Sequence, residues 1–136
     1  MTISVVDWSE EQEEDVEGHS LRLVNLTEDG HEIAVENLVD AVPGHYTSAE
    51  HLAQVFENLG KPGVGNLLRT KLPTETTKRS GDLGEILATE YIQERTDFQT
   101  PVKRLRWKDH REMSMRGDDV IGVHNSDDAT IRFLKV

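Results

Sequence analysis

Between Ser80 and Glu94 the chain places Leu83, Ile86, Leu87, Ala88, Tyr91 and Ile92 at helical spacing, and on a helix these residues cover well over half the circumference. A helix of that kind has to be packed on more than one side, so the remaining segments must supply layers around it. Ser80 is the expected cap, with the helix running from about Gly81 to Glu94. Glu85 then lies in the first turn, where a carboxylate is favoured by the helix dipole. Glu90 lies near the middle of the apolar arc, a position that calls for a partner such as a nearby arginine.

Three strand-like runs follow. "VKRLRW" alternates Val102, Leu105 and Trp107 with bases, and "KDHREMSMRG" reads as its loop. "DVIGVH" and "TIRFLKV" flank Asn125-Ser126-Asp127-Asp128, a hairpin loop. Upstream, Thr47 and Glu50 have capping-box spacing. Leu52, Val55, Phe56 and Leu59 continue that helix until Gly60 and Pro62 stop it. "KPGVGNLLRTKLPTETTKRSG" reads as a short element plus a loop. In "HSLRLVNLTEDGHEIAV", Leu21, Leu23 and Leu26 alternate on one side of Glu28-Asp29-Gly30 and Ile33 and Val35 on the other, which predicts a hairpin. The expected class is α/β (α+β), with an acidic disordered tail at 1–17, a mixed helix and hairpin region at 18–77, and a helix-plus-three-strand unit at 78–136.

Charge is organised along this order. Residues 1–40 hold twelve acids and one base, Arg22, whereas Val102–Arg116 holds six Lys or Arg against two acids. A solvated acidic surface with an incidental basic turn is the plain explanation; organised contact with a polyanion is the other. There is no cysteine, which excludes disulfides and thiolate metal sites and suits a cytoplasmic location. No apolar run is long enough to span a membrane, and the acidic "MTISVVDWSEEQEEDVEG" does not read as a signal or transit peptide.

Candidate chemistry gathers at the last hairpin. Asp118 and Asp119 stand at the entrance of one strand, and the next strand returns beside them. Hard divalent cations take oxygen ligands, and Mg²⁺ commonly uses one or two carboxylates together with water and phosphate oxygens. Adjacent aspartates before a strand are, without context, more often a solvated turn. "GKPGVGNLL" lacks the Gly-Lys-Ser/Thr ending of a phosphate loop, and the six histidines form no zinc pattern.

"KRSGDLGEILATEYI", "PVKRLRWKDHREMSMRGDDVIGV" and "FLKV" together resemble the HamA family of Hachiman antiphage defence systems, in the PD-(D/E)xK nuclease superfamily. The resemblance runs from about Lys78 to Val136, a little under half the chain. It implies the start of a nuclease core in which Glu85, on the first helix, and Asp119, at the start of strand two, hold Mg²⁺ (or Mn²⁺), with Asp118 the rival of Asp119. The Glu-x-Lys of strand three is absent from this chain. With Lys135 as the motif lysine, the acid would have to be Phe133, a dead site. With "FLKV" as the lead-in, Glu-x-Lys would follow Val136, about eighteen residues after Asp119. The second register is favoured, so the expected chain is catalytically incomplete and stops before its motif.

The resemblance further implies DNA as substrate and a HamB-like helicase as partner. In such a protein Lys103, Arg104, Arg106, Lys108, Arg111 and Arg116 would contact phosphates, and Trp107 would either stack on a base or serve as a buried anchor. Two other expectations compete. One is a non-catalytic module whose acidic first forty residues bind the helicase or imitate DNA. The other is a degraded product whose exposed strand 130–136 pairs with a second chain.

Overall fold

The structure, a computed structural model, describes residues 4–114, 117, 119–127 and 130–136. Among them are three α-helices and two small antiparallel sheets, a mixed α+β chain. The chain forms two compact units, Met1–Ala41 and Val42–Val136.

In the first unit a 3₁₀ turn, Val5–Asp7, leads into strand β1 (Ser9–Val16), which pairs antiparallel with β2 (His19–Leu26). The stretch expected to be a disordered tail therefore forms a strand over Ser9–Val16. Its turn explains why. Glu17 and Gly18 adopt positive φ of 54° and 81°, the two-residue geometry that matches strand twist, and Asp15 Oδ1 accepts the Gly18 N–H at 3.1 Å. Cross-strand polar pairs then offset the charge of β1: Ser20 Oγ donates to Glu13 at 2.6 Å, and Arg22 lies 3.9 Å from Glu11.

The hairpin expected across Glu28-Asp29-Gly30 is not formed, because β2 pairs backward and Gly30 starts helix α1 (Gly30–Tyr46). Gly30 is needed there: a Cβ would lie 2.2 Å from the Trp8 carbonyl oxygen. Ile33 and Val35 also alternate within a helix whose inward side is marked by buried Ala34, so a period of two could not separate the alternatives.

In the second unit, α2 (Ala49–Lys71) is capped by Ser48, whose Oγ accepts the His51 N–H at 3.2 Å, rather than by Thr47, which is buried. Its helical path breaks at Gly60 (φ 66°, ψ −166°), as expected, but resumes at once with Pro62 in the opening turn. Helix α3 spans Thr76–Arg95 and buries Ile86, Thr89 and Ile92. It starts earlier than Ser80, and a distant carboxylate holds the two residues just before it. Glu112 accepts the Thr74 N–H at 2.5 Å, the Thr74 hydroxyl at 2.6 Å and the Glu75 N–H at 3.3 Å.

"VKRLRW" is not a strand. Its core is a 3₁₀ turn, Arg104–Trp107, that buries Leu105 and leaves Trp107 71% exposed, so Trp107 is no buried anchor. What stands in for the first core strand is a single bridge between Gln99 and Val123, with N–H···O distances of 2.8 and 2.7 Å. The final hairpin forms as expected, β3 (Ile121–Asn125) against β4 (Ile131–Lys135), closed by the Ser126 N–H donating to the Thr130 carbonyl at 3.0 Å. Pairing runs past the strand ends: the Asp119 N–H donates to the Val136 carbonyl at 2.5 Å, and the Val136 N–H to the Val120 carbonyl at 3.0 Å. Asp119 is thereby anchored by backbone at the foot of β3. No described helix is long and apolar enough to cross a membrane.

Candidate functional site

The basic strip and α3 meet residue by residue. The strip runs antiparallel to the helix, so its bases meet the acids of α3 in reverse order. Lys108 Nζ donates to Asp82 at 3.1 and 3.0 Å. Arg104 lays two donors on Glu85, Nε to Oε1 at 3.2 Å and Nη2 to Oε2 at 3.1 Å. Lys103 Nζ lies 3.8 Å from Glu90. The side chains of all six residues are largely buried, so these pairs are screened far less than surface pairs.

Two of the three acids have a further tie. The Tyr46 hydroxyl donates to Asp82 Oδ2 at 2.6 Å, and His45 Nε2 lies 2.5 Å from Glu90 Oε1. Burial, then the hydrogen bond to Asp82, pushes the Tyr46 phenol far above its ordinary value. The bond from His45 holds the Glu90 carboxyl below the usual range, with the Lys103 charge adding to it and burial opposing. Burial draws the Lys103 ammonium down.

Asp119 completes the arrangement. Arg104 Nη2 also reaches Asp119 Oδ1 at 2.9 Å. The two acids expected at a metal site, one from α3 and one from the foot of β3, are thus brought together on one guanidinium. They line a cavity of about 410 Å³ together with Asp82, Lys108 and Ser114. The hydrogen bonds that Arg104 donates to Glu85, ahead of burial, which opposes them, raise the pKa of Arg104. Glu85 lies well inside α3 rather than in its first turn, so the helix dipole does not account for it. Asp118 and Arg116 lie outside the described residues.

As arranged, these residues do not fit a divalent cation. Oxygen donors from Glu85 and Asp119 suit Mg²⁺ in kind, but the place between them is taken by Arg104, and the described residues contain no group of three or more His, Cys, Asp or Glu that could hold a metal.

Nor do the strip's described bases project as a phosphate-binding row. Besides the three pairs with α3, Arg106 donates to the Gly44 carbonyl at 2.9 and 2.6 Å, covering the last turn of α1, and Arg111 donates to the Arg69 carbonyl at 3.1 Å. Sequence reasoning missed His45, Tyr46, Asp82 and Glu112. Only Asp82 carried a signal, three residues before Glu85 and therefore on a neighbouring face of the same helix. Glu90 does have its expected partner, but His45 and Lys103 rather than an arginine.

A model of the HamA family matches residues 3–136, nearly the whole chain. The match therefore includes residues 3–77, where the resemblance in sequence is weak. No curated protein matches the chain.

Proposed function

We propose a function from the premise that this chain belongs to the HamA family and is an antiphage-defence-related protein: it contributes a nuclease-type acidic site to a Hachiman system in which a helicase is its partner and DNA the target. The observation that carries this is the convergence of Glu85 and Asp119, from separate elements, on one cavity. Two acids from a helix and an adjoining strand start are what the family's nuclease core requires. No Glu-x-Lys follows Asp119 within these 136 residues, and the role proposed for them is binding rather than cleavage. Trp107, exposed at the end of the site's own 3₁₀ turn, is the side chain best placed to stack on a base.

The test is to incubate the purified chain with single- and double-stranded DNA in Mg²⁺ or Mn²⁺, alongside Glu85→Gln and Asp119→Asn. Binding that weakens with salt, without cleavage above the two variants, supports the proposal. Robust cleavage that both substitutions abolish would show the chain to be catalytically complete.

A second reading is favoured by a separate observation. The β1–β2 hairpin exposes Glu10, Glu11, Glu13, Glu14 and Asp15 together with Val16, Leu21, Leu23, Val24 and Leu26. Acid and apolar area combined suit docking on a basic surface of the helicase, or imitation of DNA there. Replacing the four glutamates by Gln keeps the strand and removes its charge. If the hairpin docks, helicase binding is lost; if the acids only repel DNA, nonspecific DNA affinity rises and helicase binding stays.

A further inference from the structure

Glu85 and Asp119 are held apart from any exchangeable cation by a side chain of the same protein. Glu85 is largely buried and takes both arms of the Arg104 fork, which alone would satisfy a structural ion pair. Asp119 is different. Its side chain is 62% exposed, and its backbone is fixed by the pairing with Val136, yet Arg104 Nη2 lies only 2.9 Å from it. The guanidinium therefore spans two carboxylates supplied by unconnected elements, at the wall of an open cavity.

Arg104 is carried by the 3₁₀ turn Arg104–Trp107, outside both α3 and the β3–β4 hairpin. Its neighbours cannot replace it cheaply. Lys103 is engaged with Glu90 and Lys108 with Asp82, and either would have to abandon a buried carboxylate. With Arg104 gone, Glu85 and Asp119 would face a cavity whose other bases, Lys78 and Lys108, donate to Ser114 and Asp82, a situation that oxygen-seeking divalent ions relieve.

We infer that Arg104 is a resident cation that excludes a divalent ion from the Glu85–Asp119 pair, so that metal enters this site only when Arg104 leaves it. The inference rests on the proposal that this pair is the family's cation site, and the experiment separates the two.

Mn²⁺ and Mg²⁺ are titrated by calorimetry into the full chain and into Arg104→Met and Arg104→Met/Glu85→Gln, and each protein is melted in EDTA and in Mn²⁺. The expected result is at least about tenfold tighter Mn²⁺ binding by Arg104→Met than by the unmodified chain, within the scale on which a neighbouring charge shifts a carboxylate's proton affinity. Its melting temperature should fall in EDTA and recover in Mn²⁺, and both gains should vanish in the double variant. Equal Mn²⁺ binding by the unmodified chain and Arg104→Met would overturn the exclusion while leaving the cation site. Absence of binding in both, with folded spectra, would overturn exclusion and cation site together. If Arg104→Met folds under neither condition, Arg104→Lys decides: it keeps the charge but not the two-armed grip, and it must bind Mn²⁺ more tightly than the unmodified chain for the inference to stand.

Discussion

The hydroxyl of Tyr46, at the end of α1, donates to Asp82 Oδ2 at 2.6 Å, and Lys108 grips the same carboxylate at 3.1 and 3.0 Å. An acid near the start of α3 thus joins two segments that lie 36 residues before it and 26 residues after it. Because burial and this bond raise the Tyr46 pKa above its ordinary 10, the folded state favours the neutral phenol. Its contribution to stability is complete below pH 10 and declines above it as the unfolded chain ionises. Alkaline difference spectra of the native protein should therefore show no tyrosinate signal that Tyr46→Phe removes. Removing the hydroxyl should cost about 1 kcal/mol in urea unfolding at neutral pH. A native tyrosinate band that Tyr46→Phe removes would place that hydroxyl in water.

Glu112 closes the N-terminus of α3 from the loop that follows the 3₁₀ turn. Three donors from Thr74 and Glu75 lower its carboxyl from an ordinary 4.5 to about 2. A depressed carboxylate stabilises the fold above the unfolded value, and that stabilisation is lost as pH falls from 4.5 toward 2. Melting temperatures of the native chain and Glu112→Gln should differ at pH 7 and converge across that window. Curves that stay parallel down to pH 2 would show that the charge of Glu112 does not matter to the cap.

Glu90 gives a second pH-dependent tie, set by different neighbours. Glu90→Gln keeps the shape but leaves Lys103 largely buried without its carboxylate, an unfavourable arrangement of about 3–5 kcal/mol in comparable buried pairs. The loss should be greatest near neutral pH and shrink once acid protonates Glu90 in the native protein, because its folded pKa lies below the ordinary value. Equal unfolding midpoints for the two proteins at pH 7 would remove Glu90 from the set of paired acids.

Trp107 and Trp8, the chain's two tryptophans, should be separable in solution. Trp107 is 71% exposed, whereas Trp8 is buried. Iodide should quench one component of the fluorescence strongly, and Trp107→Phe should abolish that component with little change in stability. If DNA stacks on Trp107, adding an oligonucleotide should protect the same component. Unchanged quenching in Trp107→Phe would place the exposed indole elsewhere.

Much of the second half was legible in the sequence, and the reasons are local. The β3–β4 hairpin follows from two β-rich runs around a polar loop, and the break at Gly60 follows from Gly and Pro spacing. Pairing between distant segments was not legible. Glu112 holds Thr74 and Glu75, just before α3, from 38 and 37 residues away, and no spacing rule near Ser80 can report that. The strip "VKRLRW" carried a strand's alternation, but its bases are ordered by acids on α3, which favours a 3₁₀ turn with Leu105 inward. The acidic run of β1 looked too charged to pack, and it does not pack in a core; it is held by the Glu17-Gly18 turn and by cross-strand partners on β2. The described bases of the strip that reads as a phosphate-binding row are engaged within the molecule.

The Glu85–Arg104 pair bears most directly on the account, because it joins the candidate acidic site to the basic strip. A double-mutant cycle with Glu85→Gln and Arg104→Met, measured by urea unfolding, should give a coupling of about 1–3 kcal/mol, as expected for side chains in direct charged contact. A coupling within about 0.3 kcal/mol of zero would mean that Arg104 does not sit on Glu85 in solution, and the reading of this site would be wrong.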